Sequence, residues 1–211
     1  AVAERSRIEH ERDYDALTGL YSRQAFFRVC GELFEKPRMM RCAALMMTDL
    51  DNLKTINDTY GHDWGDQYIR RTGQCLRDNT PAGTVCARLS GDEFLVLFHG
   101  YRSRDAVREK IDCLTKAMQQ SVALLPSGNA LHISLSGGIA WYPDDGQDWE
   151  TLKKYADFAM YQVKHADKGR VEEFDIGVYN REAYAERTRR EFRQLLSNCL
   201  LYTSPSPRDA H

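Results

Sequence analysis

The chain has 211 residues, of which 42% are hydrophobic and 28% charged, with a formal net charge of −2. This is ordinary globular composition, enough for one well-cored domain with an appendage, and it excludes extended disorder. The near-neutral balance gives no reason to expect a nucleic-acid partner, and no apolar run approaches the ~20 residues that cross a bilayer. The six cysteines show no C-x-x-C spacing, so neither zinc nor redox motifs are indicated. They read as small hydrophobes in a reducing, cytoplasmic setting, with no signal peptide and no membrane contact by this segment.

Residues 1–12 are heavily charged, with sparse apolar positions, and predict an exposed linker helix; Ala1 in place of Met is what a fragment downstream of a sensory domain would show. Phe26, Phe27, Val29, Cys30 and Leu33 recur at helical spacing up to Pro37. "CAALMMTDLD" is an apolar run closing on Asp49 and Asp51, the profile of a buried strand. Tyr68, Ile69, Thr72, Cys75 and Leu76 mark a second helix after a Gly-His-Asp-Trp-Gly loop. Two strands, 84–89 and 94–99, flank Ser-Gly-Asp-Glu as a hairpin. Val107, Ile111, Leu114, Met118, Val122 and Leu125 predict one continuous helix. "LHISLSGGIAW" predicts one strand, its Gly137 and Gly138 marking a bulge or a close backbone approach. A helix over Leu152 to Val163 and a short strand at 171–174 complete an α/β sheet containing an antiparallel hairpin. Residues 176–198 read as a connector helix. The tail, 199–211, reads as disordered, and "CLLYTSPSPRD" within it resembles the translation of a sequencing-library adapter.

The chemistry concentrates at the hairpin tip and at the end of the first strand. Asp92 and Glu93 are adjacent carboxylates opening an apolar strand, an arrangement that repulsion and desolvation disfavour unless a cation or a proton offsets it. The Asp49-x-Asp51 start suggests a calcium EF-loop, but Leu53 and Lys54 stand at its fifth and sixth positions, where a ligand and a turn glycine are required. No Walker-type phosphate loop is present. Neighbouring strands lie about 4.8 Å apart, so Asp49 and the hairpin pair can share one Mg²⁺ (or Mn²⁺) if their strands are paired.

"DALTGLYSR" at 15–23, "DLDNLKTINDTYGHDWGD" at 49–66, "SGDEF" at 90–94 and "ADFAMYQVKHADKGR" at 156–170 together resemble the GGDEF family of diguanylate cyclases, over about residues 13–175. The resemblance implies a nucleotidyl-cyclase-like palm with a ferredoxin-like core, a mostly antiparallel central sheet with surrounding helices. It implies that two protomers, each with one GTP, face each other as a homodimer to make cyclic di-GMP and two pyrophosphates. By this resemblance Asp49, Asp92, Glu93 and the carbonyl of Leu50 hold metal, Asp92 takes the hydroxyl proton, and Lys54 steadies phosphate charge. Asn57 and Asp66 match the guanine-reading pair, His62 a substrate contact, Ser90 and Gly91 the nucleotide-facing turn, and Lys164 and Lys168 the triphosphate contacts.

Taken singly, these residues have plainer readings. Asp15 and Thr18 also suit a helix cap, Asn57 a helix end, His62 a loop hydrogen-bonder, and Lys54 and Lys164 solvated surface positions. Three departures stand out. Ser90 replaces the first glycine of the signature, which predicts lowered activity. Lys168 stands where the family usually has arginine, leaving Arg170 to compensate. Pro81 and Thr84 stand where many members carry an Arg-x-x-Asp product site, and the adjacent Arg77 and Asp78 cannot reproduce that spacing. Residues after 175 resemble the connector into an EAL phosphodiesterase domain. The alternative to a cyclase is therefore a catalytically weak GTP-binding regulatory domain of such a tandem protein.

Overall fold

In the computed structural model, residues 12–125 and 127–202 are described. The expected linker helix and most of the tail lie outside them. Strand β1 (Cys42–Leu50) is buried at every residue after Cys42. An apolar run of this kind requires cover on both faces. On one face Ala44, Met46 and Leu50 join a core with Tyr68, Ile69 and Leu76; on the other Ala43, Leu45 and Met47 join Phe26, Leu152 and Met160. The first set of helices is α3 (Leu53–Tyr60), α4 (His62–Asn79) and α5 (Arg104–Gln120), and the second is α1 (Arg23–Phe34) and α6 (Trp149–His165). A short α2 (Pro37–Met40) leads into β1.

The sheet has the order β2-β3-β1-β6-β7, with β2 (Val85–Ser90), β3 (Glu93–Tyr101), β6 (Leu135–Tyr142) and β7 (Val171–Glu173). Only the β6–β7 pair is parallel, so the sheet is mostly antiparallel, as the resemblance implies. Pairing of β1 with β3 sets Asp49 opposite Glu93. That register brings the strand-end aspartate to the hairpin tip.

Three expectations are corrected. The loop expected over Gly-His-Asp-Trp-Gly is helical from His62, the first residue of α4. The helix expected through Leu125 ends at Gln120, and Val122–Leu124 forms β4, paired with β5 (Ala130–His132) as a separate two-stranded sheet. The single strand expected over "LHISLSGGIAW" breaks between β5 and β6. At the break, the Ser134 carbonyl accepts from the Asp51 backbone N–H and its own N–H donates to the Tyr68 hydroxyl. Of the two readings of the glycine pair, close approach holds. β1 and β6 pair without a register shift, and a Cβ on Gly138 would lie 2.1 Å from the Ala156 carbonyl oxygen and 2.3 Å from the Met160 nitrogen. Glycine there lets α6 seat directly on the sheet.

Helix α7 (Ile176–Tyr202) belongs to a second unit, beginning at Asp175, and continues past the expected boundary at 198. Asp175 accepts from the backbone N–H groups of Gly177 and Val178, closing the helix start. Among the described residues no helix is long and apolar enough to cross a membrane.

Candidate active site

The β2–β3 turn is as tight as the sequence predicts: Ser90 pairs with Glu93, leaving Gly91 and Asp92 at the tip, with Gly91 at φ +41°. The tip is fastened to β1 by the Leu50 N–H, which donates to the Asp92 carbonyl at 2.9 Å. It is fastened from the other side by Arg88, whose Nε and Nη2 donate to the Gly91 carbonyl at 3.0 and 2.8 Å. The same guanidinium reaches Asp15 at 3.4 Å. Asp15 in turn accepts from the Thr18 N–H and hydroxyl, so these two residues form a turn that braces the hairpin rather than a simple helix cap. Ser90, the departure from the family signature, donates to Glu93 Oε2 at 3.1 Å.

Asp49 is buried at the end of β1, and its Oδ2 lies 2.6 Å from the Lys164 ammonium on α6. Burial pushes its carboxyl above the ordinary range; Lys164 opposes that, and the nearby negative charges of Asp92 and Glu93 reinforce it. Asp49 therefore feels the negative charge of both hairpin-tip carboxylates while pairing with one ammonium. This is what a hard-cation site needs: oxygen donors of like charge, held by a register that repulsion alone would not choose. Among the described residues no group of three or more His, Cys, Asp or Glu side chains completes a metal cage by itself. Mg²⁺ does not require one, since one or two protein carboxylates plus substrate phosphates suffice. The residues present fit the ion on that basis.

Asp51, two residues on, is not part of this set. Its oxygens accept from the Ser134 and Ser136 hydroxyls at 2.7 and 2.8 Å, so its charge is consumed in locking the strand ends together. The chain then turns through Asn52 in the left-handed region, at φ +64°, into α3.

The pair expected to read the base, Asn57 and Asp66, sits on α3 and α4. Asn57 packs against Gly65 so closely that any Cβ there would meet its Oδ1 at 1.9 Å, and that oxygen is buried without a hydrogen-bond partner. Asp66 follows Gly65 on α4 and is half-buried. Lys54, in the first turn of α3, and His62, at the start of α4, are exposed. Lys168 is exposed in the loop after α6. Arg170, the expected substitute for the missing arginine, is paired with Asp167 and Glu172 at 3.6 and 3.0 Å and is thereby committed to its own loop. Sequence reasoning missed Arg88, Gly65, Ser134 and Ser136 as supports of the site. The glycine inside "HDWGD" and the arginine two residues before the signature were the only signals available.

Comparison with known proteins bears on the family and the fold. The family model described as diguanylate cyclase, GGDEF domain, matches residues 12–170. The cyclic di-GMP phosphodiesterase NbdA of Pseudomonas aeruginosa is 34% identical over 184 residues, covering 87% of this chain and 23% of that protein. The uncharacterized protein YhcK of Bacillus subtilis is 32% identical over 173 residues, covering 78% of this chain and 46% of that one. The chain thus spans less than a quarter of the first of these curated relatives and less than half of the second. Among solved structures, the GGDEF domain of TpbB (YfiN) from Pseudomonas aeruginosa superposes with a TM-score of 0.71 at 30% identity, over 77% of this chain and 95% of that one. The GGDEF domain of DgcB from Caulobacter crescentus, solved with cyclic di-GMP, has a TM-score of 0.68 at 24% identity, over 77% and 96%, and supports the fold. With the sheet order, the hairpin tip and these matches in agreement, the chain belongs to the GGDEF family.

Proposed function

We propose that this domain is a diguanylate cyclase that condenses two GTP molecules, one on each of two facing protomers, into cyclic di-GMP and two pyrophosphates. The observation that carries the reading is the meeting of Asp49 with the Asp92–Glu93 tip, set by the β1–β3 register. In each half-reaction a 3′-hydroxyl oxygen bonds to the α-phosphorus of the facing nucleotide while the bond from that phosphorus to pyrophosphate breaks. Asp92 accepts the hydroxyl proton. Asp49, Asp92, Glu93 and the Leu50 carbonyl would hold Mg²⁺ (or Mn²⁺), which when bound supplies charge stabilisation to the attacking and leaving oxygens. Lys54 and Lys168, both exposed beside the strand end and after α6, neutralise the polyphosphate. Lys164, which pairs with Asp49, is positioned to exchange that carboxylate for a phosphate oxygen. Asp66 accepts from the ring N–H and amino group of guanine, and Asn57 presents its amide to the acceptor edge. His62 contacts the nucleotide from the start of α4, and Ser90 and Gly91 bound it at the turn.

A second reading is a GTP-binding regulatory domain with little turnover. It is favoured by Ser90 in the signature and by the phosphodiesterase name of a relative of which this chain covers 23%. Incubating the purified domain with GTP and Mg²⁺ and resolving the products by mass separates the two. Cyclic di-GMP and pyrophosphate are expected; bound but unconverted GTP would transfer the conclusion to the regulatory reading.

A further inference from the structure

Between the sheet and α5 lies a cavity of about 230 Å³. Packed interiors leave few voids larger than one water molecule, whose share of liquid volume is about 30 Å³, so this space is not an ordinary packing defect. Its walls are mostly apolar, with Met46 from β1 and Leu114 and Met118 from α5. Of the three hydroxyls in its lining, Thr115 donates to the Ile111 carbonyl and Ser134 to Asp51, and the third is unpaired. Thr48 lies two residues beyond Met46, on the same face of β1, and is fully buried, yet its Oγ1 has no hydrogen-bond partner. Valine has the same shape without that cost, so the hydroxyl is unexplained by packing. Gln119 and His132, both exposed, stand at the rim and mark the way in.

The lining contains no Lys, Arg, Asp or Glu. A triphosphate or a cyclic dinucleotide would find no counter-charge there, which separates this space from the GTP site proposed above. Two methionine thioethers, by contrast, favour contact with an aromatic ring. An apolar cavity of about 150 Å³ already admits benzene, so the larger one admits a bicyclic ring. We infer that this cavity is a binding site for a small uncharged aromatic molecule carrying one hydrogen-bond donor, seated between Met46 and Met118 with the donor on Thr48 Oγ1. This inference does not depend on whether the domain turns over GTP.

Indole is a suitable probe, with one N–H and two fused rings. The chain has six methionines, and in protein carrying ¹³C-methyl methionine the Met46 and Met118 signals are expected to shift saturably on indole titration. The signals of Met39, Met40, Met47 and Met160, which do not line the cavity, should stay in place. Thr48→Val keeps the shape and removes the acceptor, and should weaken indole binding about tenfold, the worth of one hydrogen bond. Leu114→Phe should fill the space and abolish the shifts, with thermal melting reporting whether that variant folds; if it does not, Thr48→Val decides alone. Absence of a saturable shift at millimolar indole, equal shifts at all six methionines, or unchanged affinity in Thr48→Val would each overturn the inference.

Discussion

In the proposed cyclase, base choice would rest on Asn57 and Asp66, nine positions apart in sequence, with Asn57 on α3 packed against Gly65, the residue before Asp66 on α4. A site that hydrogen-bonds a specific base edge rejects an analogue lacking the matching groups by about 10⁴-fold, because its own polar atoms are then left unpaired. Asp66→Ser should therefore relax the preference for GTP over ATP, read as the ratio of the two initial rates; equal use of both nucleotides by the unaltered domain would contradict the assignment. A second residue-scale expectation concerns Glu173. Its carboxylate takes two bonds from Arg108, at 2.7 and 3.0 Å, and these hold its carboxyl below the ordinary glutamate range. A lowered carboxyl contributes stability above its unfolded value of about 4.5 and loses it as pH falls through the folded value. Glu173→Gln should melt at a lower temperature than the parent near neutrality, with the gap closing on acidification. The effect will be modest, since both partners are partly exposed. A gap that is the same at all pH values would show that the charge is not involved. At this scale the motifs supplied candidate residues, but the sequence was opaque where a contact depends on a distant partner. Asp49 and Asp51 look equivalent in "TDLD", yet one meets Lys164 and the other is consumed by Ser134 and Ser136, more than eighty residues away.

Secondary structure was legible in the buried run of β1 and in the hairpin. The run at 42–50 is a central strand because it is apolar on both faces from Cys42 to Met47, and the SGDE turn is a hairpin because glycine and carboxylates stand between two β-prone segments. The extent of α5 was not legible, because Val122 and Leu125 continue its apolar spacing. What ends the helix is the pairing of Val122–Leu124 with Ala130–His132, a contact that helical periodicity cannot register. The meaning of Gly138 is likewise visible only once α6 is docked. Gly138→Ala would force α6, with Lys164 in its last turn, away from the sheet. Overpacking of this kind typically costs about 1–3 kcal/mol, so the variant's urea midpoint should fall clearly. A midpoint equal to the parent's would show that the helix is seated less closely than described.

For the molecule as a whole, the proposed half-reaction needs the nucleotide of a second protomer, so the rate should rise faster than linearly with protein concentration until dimers saturate. Control by product is expected to be weak, because Pro81 offers no donor and Thr84 no charge where an arginine–aspartate pair would grip a cyclic dinucleotide. Cyclic di-GMP titrated into the working domain should not inhibit at submicromolar levels; inhibition there that survives Arg77→Ala would require a different product site. The central claim is that the carboxylates gathered by the β1–β3 register serve phosphoryl transfer. The most direct measurement is the initial rate of cyclic di-GMP formation from GTP and Mg²⁺, in the parent domain and in Asp92→Asn, with circular dichroism confirming that both are folded. Loss of a proton acceptor and metal ligand should lower the rate by about 10²-fold or more at unchanged fold. A folded Asp92→Asn domain that makes cyclic di-GMP at the parent rate would contradict the account.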